Sequence, residues 1–164
     1  MSPPRIALVV AVAITVFGLD RLTKNAVVAN IPVDSSVEVL GPYVRISHVR
    51  NTGAAFGLLP ERTTLLSVLS VFAVVAILYY YRRLAASSPL IAMTLGMQLG
   101  GAFGNLVDRL GQGYVVDFVD VGLVPGPRFW AFNVADSSIV VGILVVTGLL
   151  WWEERSSGRR PAPG

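Results

Sequence analysis

Four stretches of this chain carry no charged residue: 6–19, 63–81, 84–107 and 137–152. A helix rises about 1.5 Å per residue and the hydrocarbon core of a bilayer is about 30 Å thick, so a span takes about 20 residues. The second and third runs suffice alone or nearly so; the first and fourth must borrow neighbours to cross. The pattern predicts an all-α integral membrane protein with four transmembrane helices, at about 6–26, 63–82, 89–108 and 133–152, in a single membrane domain over 1–154. Arg5 ahead of the first run also suits a signal peptide, but only Gly18-Leu19-Asp20-Arg21 follows and no small-residue cleavage site, so a retained helix is expected.

Composition agrees. Hydrophobic residues are 54% of the 164 and charged residues 14%, against about 25% in an average soluble domain. The net charge of +3 does not point to nucleic acid, because the basic residues are scattered between long uncharged runs. With no cysteine and only His48, disulfides, thiolate zinc sites and a Cys nucleophile are excluded, as is a histidine-rich metal site.

Lys and Arg set the orientation. One side receives Arg5, Arg82, Arg83, Arg155, Arg159 and Arg160 in three short segments. The other receives Arg21, Lys24, Arg45, Arg50, Arg62, Arg109 and Arg128 in longer ones. Density rather than total makes the first side cytoplasmic and puts both termini there. On the other side, Val37–Leu40 and Tyr43–Val49 are β-rich with Gly41-Pro42 between them, which reads as a small sheet within an external region of about 30–60. Residues 109–132, rich in Gly and Pro, read as a second external loop, and 155–164 as a disordered tail.

Polar residues cluster where three predicted helices end on that outer side. Asp20 and Lys24 are four apart and can pair. Asn105, Asp108 and Arg109 share a face, and Asp136 lies near the start of the fourth helix. Each has a plain structural role available: an ion pair for Asp20–Lys24, a helix cap for Asn133 or Asp136, an interfacial anchor for Asp108–Arg109. Gly96, Gly100 and Gly104 recur every four residues, a pattern for close helix packing. His48 reads as structural, Gly111-Gln112-Gly113 as a turn, and Tyr79–Tyr81 and Trp151-Trp152 as interfacial belts.

Taken together, ionisable groups from three helices in one leaflet are costly and mark function. With Cys absent and His single, carboxylates carry the available hydrolytic chemistry. Two adjacent carboxylates share a proton near neutrality; the ionised one can take a proton from water while the other protonates or polarises a carbonyl. Asp136 with Asp117 or Asp120 can form such a pair, and spacing does not choose between them. A transporter would place such groups near the midplane among inverted repeats or broken helices, which are absent from the sequence. A scaffold would need only the glycine face and the loops.

The blocks Asp20-Arg21-Leu22-Thr23-Lys24, Arg50-Asn51-Thr52-Gly53-Ala54-Ala55-Phe56-Gly57, Gly104-Asn105-Leu106-Val107-Asp108-Arg109, Val115-Val116-Asp117-Phe118 and Phe132-Asn133-Val134-Ala135-Asp136-Ser137 resemble, in order, the motifs of the lipoprotein signal peptidase (signal peptidase II) family. The resemblance implies a bacterial aspartic endopeptidase of the cytoplasmic membrane. Its substrates would be diacylglyceryl-modified prolipoproteins, cleaved on the outer side before the lipid-bearing cysteine. It further implies a dyad of Asp117 and Asp136; supporting roles for Asn51, Gly53, Gly104, Asn105, Arg109 and Asn133; a structural or substrate-contacting pair in Asp20 and Lys24; and local support from Asp108. It implies an external β-cradle, membrane lipid around the bundle, and no metal, nucleotide, nucleic acid or obligate protein partner.

Overall fold

The computed structural model describes residues 3–53, 62–84, 88–123 and 125–157. The elements follow in the order α1 (Pro3–Asn30), β1 (Ser36–Leu40), β2 (Val44–Asn51), α2 (Thr63–Leu84), α3 (Pro89–Gln112), β3 (Val115–Val121) and α4 (Val134–Ser157). Helix α3 is the centre of the bundle and packs against α1, α4 and α2. Its start has a strong local cause: Ser88 accepts a hydrogen bond from the Leu90 N–H at 3.2 Å, and Pro89 occupies the first turn, where its missing N–H costs nothing.

Close approach of the helices depends on missing side chains. A Cβ on Gly100 would lie 2.5 Å from the Ala13 carbonyl oxygen of α1, and one on Gly101 would lie 2.5 Å from the Ala135 carbonyl oxygen of α4. The glycine row therefore seats α1, and its neighbour Gly101 seats α4.

Burial is inverted relative to a soluble domain. Asp20, Lys24, Asn105, Asp108, Asp117 and Asn133 are buried, while Ile14, Leu22, Phe72, Val75 and Leu144 stand exposed on the helices. Such continuous exposed apolar surface needs an apolar environment. By length and composition α1 and α3 can each cross a membrane; the apolar parts of α2 and α4, 63–79 and 134–149, are shorter.

The sheet has three antiparallel strands in the order β1-β2-β3. The β1–β2 hairpin turns at Gly41, whose φ of +51° suits a residue without a side chain. Val116 and Phe118 of β3 pack with Val27 and Ile31, so the sheet sits on the end of α1.

The structure corrects the reading of 109–132 as a loop. Helix α3 continues through Gln112, and Gly113, at φ +82°, caps it by donating its N–H to the Arg109 carbonyl at 3.1 Å. The third strand then takes Val115–Val121. Its Val-Val-Asp-Phe-Val-Asp-Val run is short and does not alternate strictly, and the glycines and prolines on both sides hid it. Helix α4 runs to Ser157, through the first residues of the expected tail; residues 158–164 lie outside the described residues, as do 54–61 of the expected β region.

Gly101→Val should destabilise the protein by about 1–3 kcal/mol, the usual penalty for overpacking. Gly111→Ala, whose added Cβ meets nothing within 4 Å, should be neutral or slightly stabilising. Thermal unfolding in detergent, compared between the two variants, checks this.

Candidate active site

Helix α1 contributes a buried cation. The Lys24 ammonium lies 2.8 Å from Asp20 Oδ2, 2.8 Å from Asp108 Oδ2 and 2.9 Å from Asn105 Oδ1. The amide oxygen accepts a hydrogen bond from it, and the two carboxylates pair with it as ions. Arg21 adds a second cation, donating to Asp108 Oδ1. Gly104 makes room for this cluster, since a Cβ there would lie 2.7 Å from Asp20 Oδ2.

Asp20 also reaches α4: its Oδ1 accepts the Ala135 N–H at 3.0 Å. Asn133 and Asp136 cap the same helix reciprocally. The Asn133 side chain accepts from the Asp136 N–H at 2.8 Å, and Asp136 Oδ2 accepts from the Asn133 N–H at 3.3 Å. The capping role expected for these residues is real. It leaves Asp136 Oδ1 facing inward, where Asn105 Nδ2 donates to it at 2.7 Å.

Asp117 arrives from the sheet. Asn51 pairs with Val115 and Val49 with Asp117, so Asn51 and Asp117 are diagonal neighbours across β2 and β3. Asn51 Nδ2 donates to Asp117 Oδ2 at 2.7 Å. Beyond β3 the chain folds back, with Phe132 and Val119 exchanging backbone hydrogen bonds of 2.8 and 3.1 Å. That return places Asn133 beside Asp117, and Asn133 Nδ2 donates to Asp117 Oδ1 at 2.7 Å. The same amide lies 3.3 Å from Asn105 Oδ1. One asparagine thus caps α4 with Asp136 and holds Asp117.

Asp120, the alternative that spacing left open, takes no part in this cluster. It receives Arg128 Nε at 2.8 and 3.0 Å and Ser47 Oγ at 3.3 Å. Gly53 and Arg109 close the rim. The Gly53 N–H donates to Asn51 Oδ1 at 2.8 Å, and its carbonyl accepts from Arg109 Nη2 at 3.3 Å. His48 stays apart, buried in the sheet with Nδ1 at 2.8 Å from the Ile31 carbonyl.

Burial pushes the Asp117 carboxyl up to about 7, and the neighbouring Asp136 charge adds to the rise; hydrogen bonds from Asn51 and Asn133 and the Lys24 charge oppose it. A carboxyl so placed exchanges a proton near neutrality.

Three hollows meet at the two aspartates. A cleft of about 390 Å³ between α2, α3 and α4 ends at Asn105, Arg109 and Asp136. A cavity of about 340 Å³, walled by Phe129, Trp130, Phe132 and Val140, reaches Asp136 from the side. Another, of about 280 Å³ and bordered by Asn51, Gly53 and Trp130, reaches Asp117. Sequence reasoning missed Trp130 and Phe132 as walls, and no periodic signal marks them. It counted Arg21 among the outer-side basic residues and within a motif but gave it no site role, although its separation of one from Asp20 and three from Lys24 pointed to the same helix end.

The sequence-predicted site residues other than Asp120 therefore fall in one connected network at one end of the bundle. Helices with exposed apolar flanks, carrying at one end a buried Asp117 and a half-buried Asp136 beside apolar clefts, are the features a membrane enzyme would need. Residues 12–152 match the family model described as signal peptidase (SPase) II. The chain is 38% identical over 149 residues to the lipoprotein signal peptidase of Moorella thermoacetica, covering 91% of this chain and 96% of that protein. It is 40% identical to that of Mycobacterium tuberculosis (strain H37Rv) over 170 residues, covering 99% and 81%. Among solved structures it superposes on a bacterial membrane enzyme determined by the in meso method at 2.3 Å, with a TM-score of 0.84, 27% identity and coverage of 97% and 95%. A second such enzyme, at 1.9 Å, gives a TM-score of 0.79 and 30% identity over 88% and 93%. The chain belongs to the signal peptidase II family, which makes it a peptidase.

Lys24→Met should cost about 3–5 kcal/mol, because it leaves Asp20 and Asp108 buried without their shared cation. Glu38→Ala, which removes an exposed partner 3.3 Å from Arg45, should cost at most about 1 kcal/mol. Unfolding midpoints of the two variants test the contrast.

Proposed function

We propose that this chain is an aspartic endopeptidase that removes signal peptides from diacylglyceryl-modified prolipoproteins, cutting before the lipid-bearing cysteine with Asp117 and Asp136 as its dyad. The observation that carries this reading is the bridge through Asn133, which binds Asp117 by its side chain and Asp136 through the helix cap. The names of the relatives support the substrate class.

Charge arithmetic supports a single shared proton. The network holds Asp20, Asp108, Asp117 and Asp136 against Arg21, Lys24 and Arg109. Four acids and three bases leave one negative charge in excess, and one proton on the dyad cancels it. A buried site favours that neutral count, because an unpaired charge is expensive away from water.

The chemistry follows. The ionised carboxylate takes a proton from water as the water oxygen attacks the scissile carbonyl carbon. The protonated partner gives its proton to the carbonyl oxygen, producing a tetrahedral diol. Collapse of the diol breaks the C–N bond: the departing amine takes a proton from one aspartate while a diol hydroxyl gives its proton to the other, which leaves the acid and the amine and returns the dyad to one proton. Arg109 and the asparagine amides, pointing into the site, are placed to hold the substrate backbone. No metal or nucleotide is needed for these steps.

In this reading all four helices span the cytoplasmic membrane of a bacterium. Both termini are cytoplasmic, and the sheet and dyad lie at the outer face. The site gathers at the ends of α1 and α3 and the start of α4, so one leaflet holds every reacting group. Water reaches the dyad from that face while the substrate's signal helix stays in the bilayer within the α2–α3–α4 cleft.

The test is a gel-shift assay on a diacylglyceryl-modified prolipoprotein. Wild type should cleave it, while Asp117→Asn and Asp136→Asn, each verified as folded, should lose at least about 100-fold in rate, the scale of lost general acid–base catalysis. Cleavage by either folded variant at near wild-type rate returns that aspartate to a structural role. The acidity of Asp117 adds a pH dependence. The working dyad keeps one proton, and Asp117 sheds its proton near 7, so kcat/KM should fall as pH rises through about 7. A flat profile from pH 6 to 9 would contradict the shared proton.

A further inference from the structure

Asp120, the acid left out of the dyad cluster, anchors a separate clamp. Arg128 Nε donates to Asp120 Oδ1 at 2.8 Å and to Oδ2 at 3.0 Å, and Arg128 Nη2 donates to the Asp120 carbonyl at 3.3 Å. Arg128 Nη1 crosses to the Pro42 carbonyl, in the turn between β1 and β2, at 2.9 Å. One planar guanidinium thus ties its own segment to β3 and to the hairpin at once, a geometry that a lysine ammonium does not reproduce. Ser47 Oγ of β2 donates to the same carboxylate at 3.3 Å. Gly122 leaves room for the clamp, since a Cβ there would lie 2.8 Å from Arg128 Cγ and 3.0 Å from Cζ.

The clamp holds the short return segment that leads into α4. Arg128 begins it, and the Phe129 N–H donates to the Val121 carbonyl at 2.7 Å. Its far end is Phe132, paired with Val119, and the next residue is Asn133, whose amide donates to Asp117. Between the two ends, Trp130 and Ala131 line both the hollow at Asp117 and the hollow at Asp136. The Arg128 side chain is 27% exposed and that of Asp120 17%, and ion pairs at such exposure add little to stability. The larger consequence is for position. A displacement of about 1 Å at a reacting group can cost about 100-fold in rate.

We propose that Arg128 is a positioning residue for peptide cleavage: clamped onto Asp120 and Pro42, it fixes the return segment so that Asn133 keeps its hydrogen bond to Asp117. This deepens the peptidase reading and rests on it.

The test removes the pair together, Arg128→Met with Asp120→Ala, in the full-length protein. One base and one acid leave, so the local net charge is unchanged. On folded enzyme, kcat for the diacylglyceryl-modified prolipoprotein should fall about 10- to 100-fold. KM should stay within about twofold, because the α2–α3–α4 cleft is lined by the helices and not by 128–132. The pH profile reports the Asn133 bond. That bond holds the Asp117 carboxyl below where burial alone would put it. The charged groups facing Asp117 are Asp136 of α4, Lys24 of α1 and Arg109 of α3, and the variant keeps all three. The alkaline fall in kcat/KM should therefore move up by about 0.5 to 1 pH unit, the scale of one hydrogen bond. The unfolding midpoint should stay close to that of wild type. Should the pair variant not fold, Arg128→Lys, which keeps the charge and loses the fork, takes its place with the same directions. A wild-type kcat, or an unmoved alkaline limb, overturns the positioning role and leaves the dyad standing. A lowered unfolding midpoint with wild-type kcat assigns the clamp to stability alone and overturns it as well. Failure of folded wild type to cleave the substrate overturns the peptidase reading and this inference with it.

Discussion

The site depends on one buried ammonium. Lys24 is 2% exposed, and a cation at that depth is tolerable only if opposite charge is packed against it. Two carboxylates and one amide oxygen meet it, and each ties down a different part of the molecule. Asp20 carries the link onward to the Ala135 N–H and so to the head of α4. Asp108 holds α3 against α1. Asn105, its oxygen claimed by a donor-only partner, must turn its NH2 group toward Asp136. A lysine that touches neither aspartate of the proposed dyad thereby orients a donor on one of them.

The same economy recurs at Asn133. Its backbone and side-chain oxygen start α4, while its NH2 group fixes Asp117. Capping and site-building are one arrangement, because an N-cap turns its neighbours' polar groups away from the helix and toward whatever approaches its end. What approaches here is the edge of a sheet. Register, rather than helix geometry, selects Asp117: the diagonal from Asn51 reaches it, whereas Asp120 meets Arg128.

This explains which parts were legible in the sequence. Uncharged runs announce helices because bilayer thickness and helix rise are fixed lengths, and Asp20–Lys24 pairing follows from the turn of one helix. The β1–β2 hairpin was readable from Gly41-Pro42 between β-rich segments. Strand β3 was not, since seven residues between glycines and prolines look like loop until a partner strand is present. Without β3 the choice between Asp117 and Asp120 stays open, and the motif resemblance rather than spacing named Asp117.

Placement at the end of the bundle reconciles two opposed requirements. Peptide hydrolysis consumes water, whereas the lipid-anchored substrate proposed above would stay in hydrocarbon. The helix ends bring polar groups to one level; the sheet, seated on α1 through Val116 and Phe118, roofs that level and contributes an acid from above. Below it the cleft is lined mostly by apolar side chains, among them Leu66, Leu69, Ile77 and Ile143. A helix entering from below keeps its backbone bonds internal until it must unwind for cleavage.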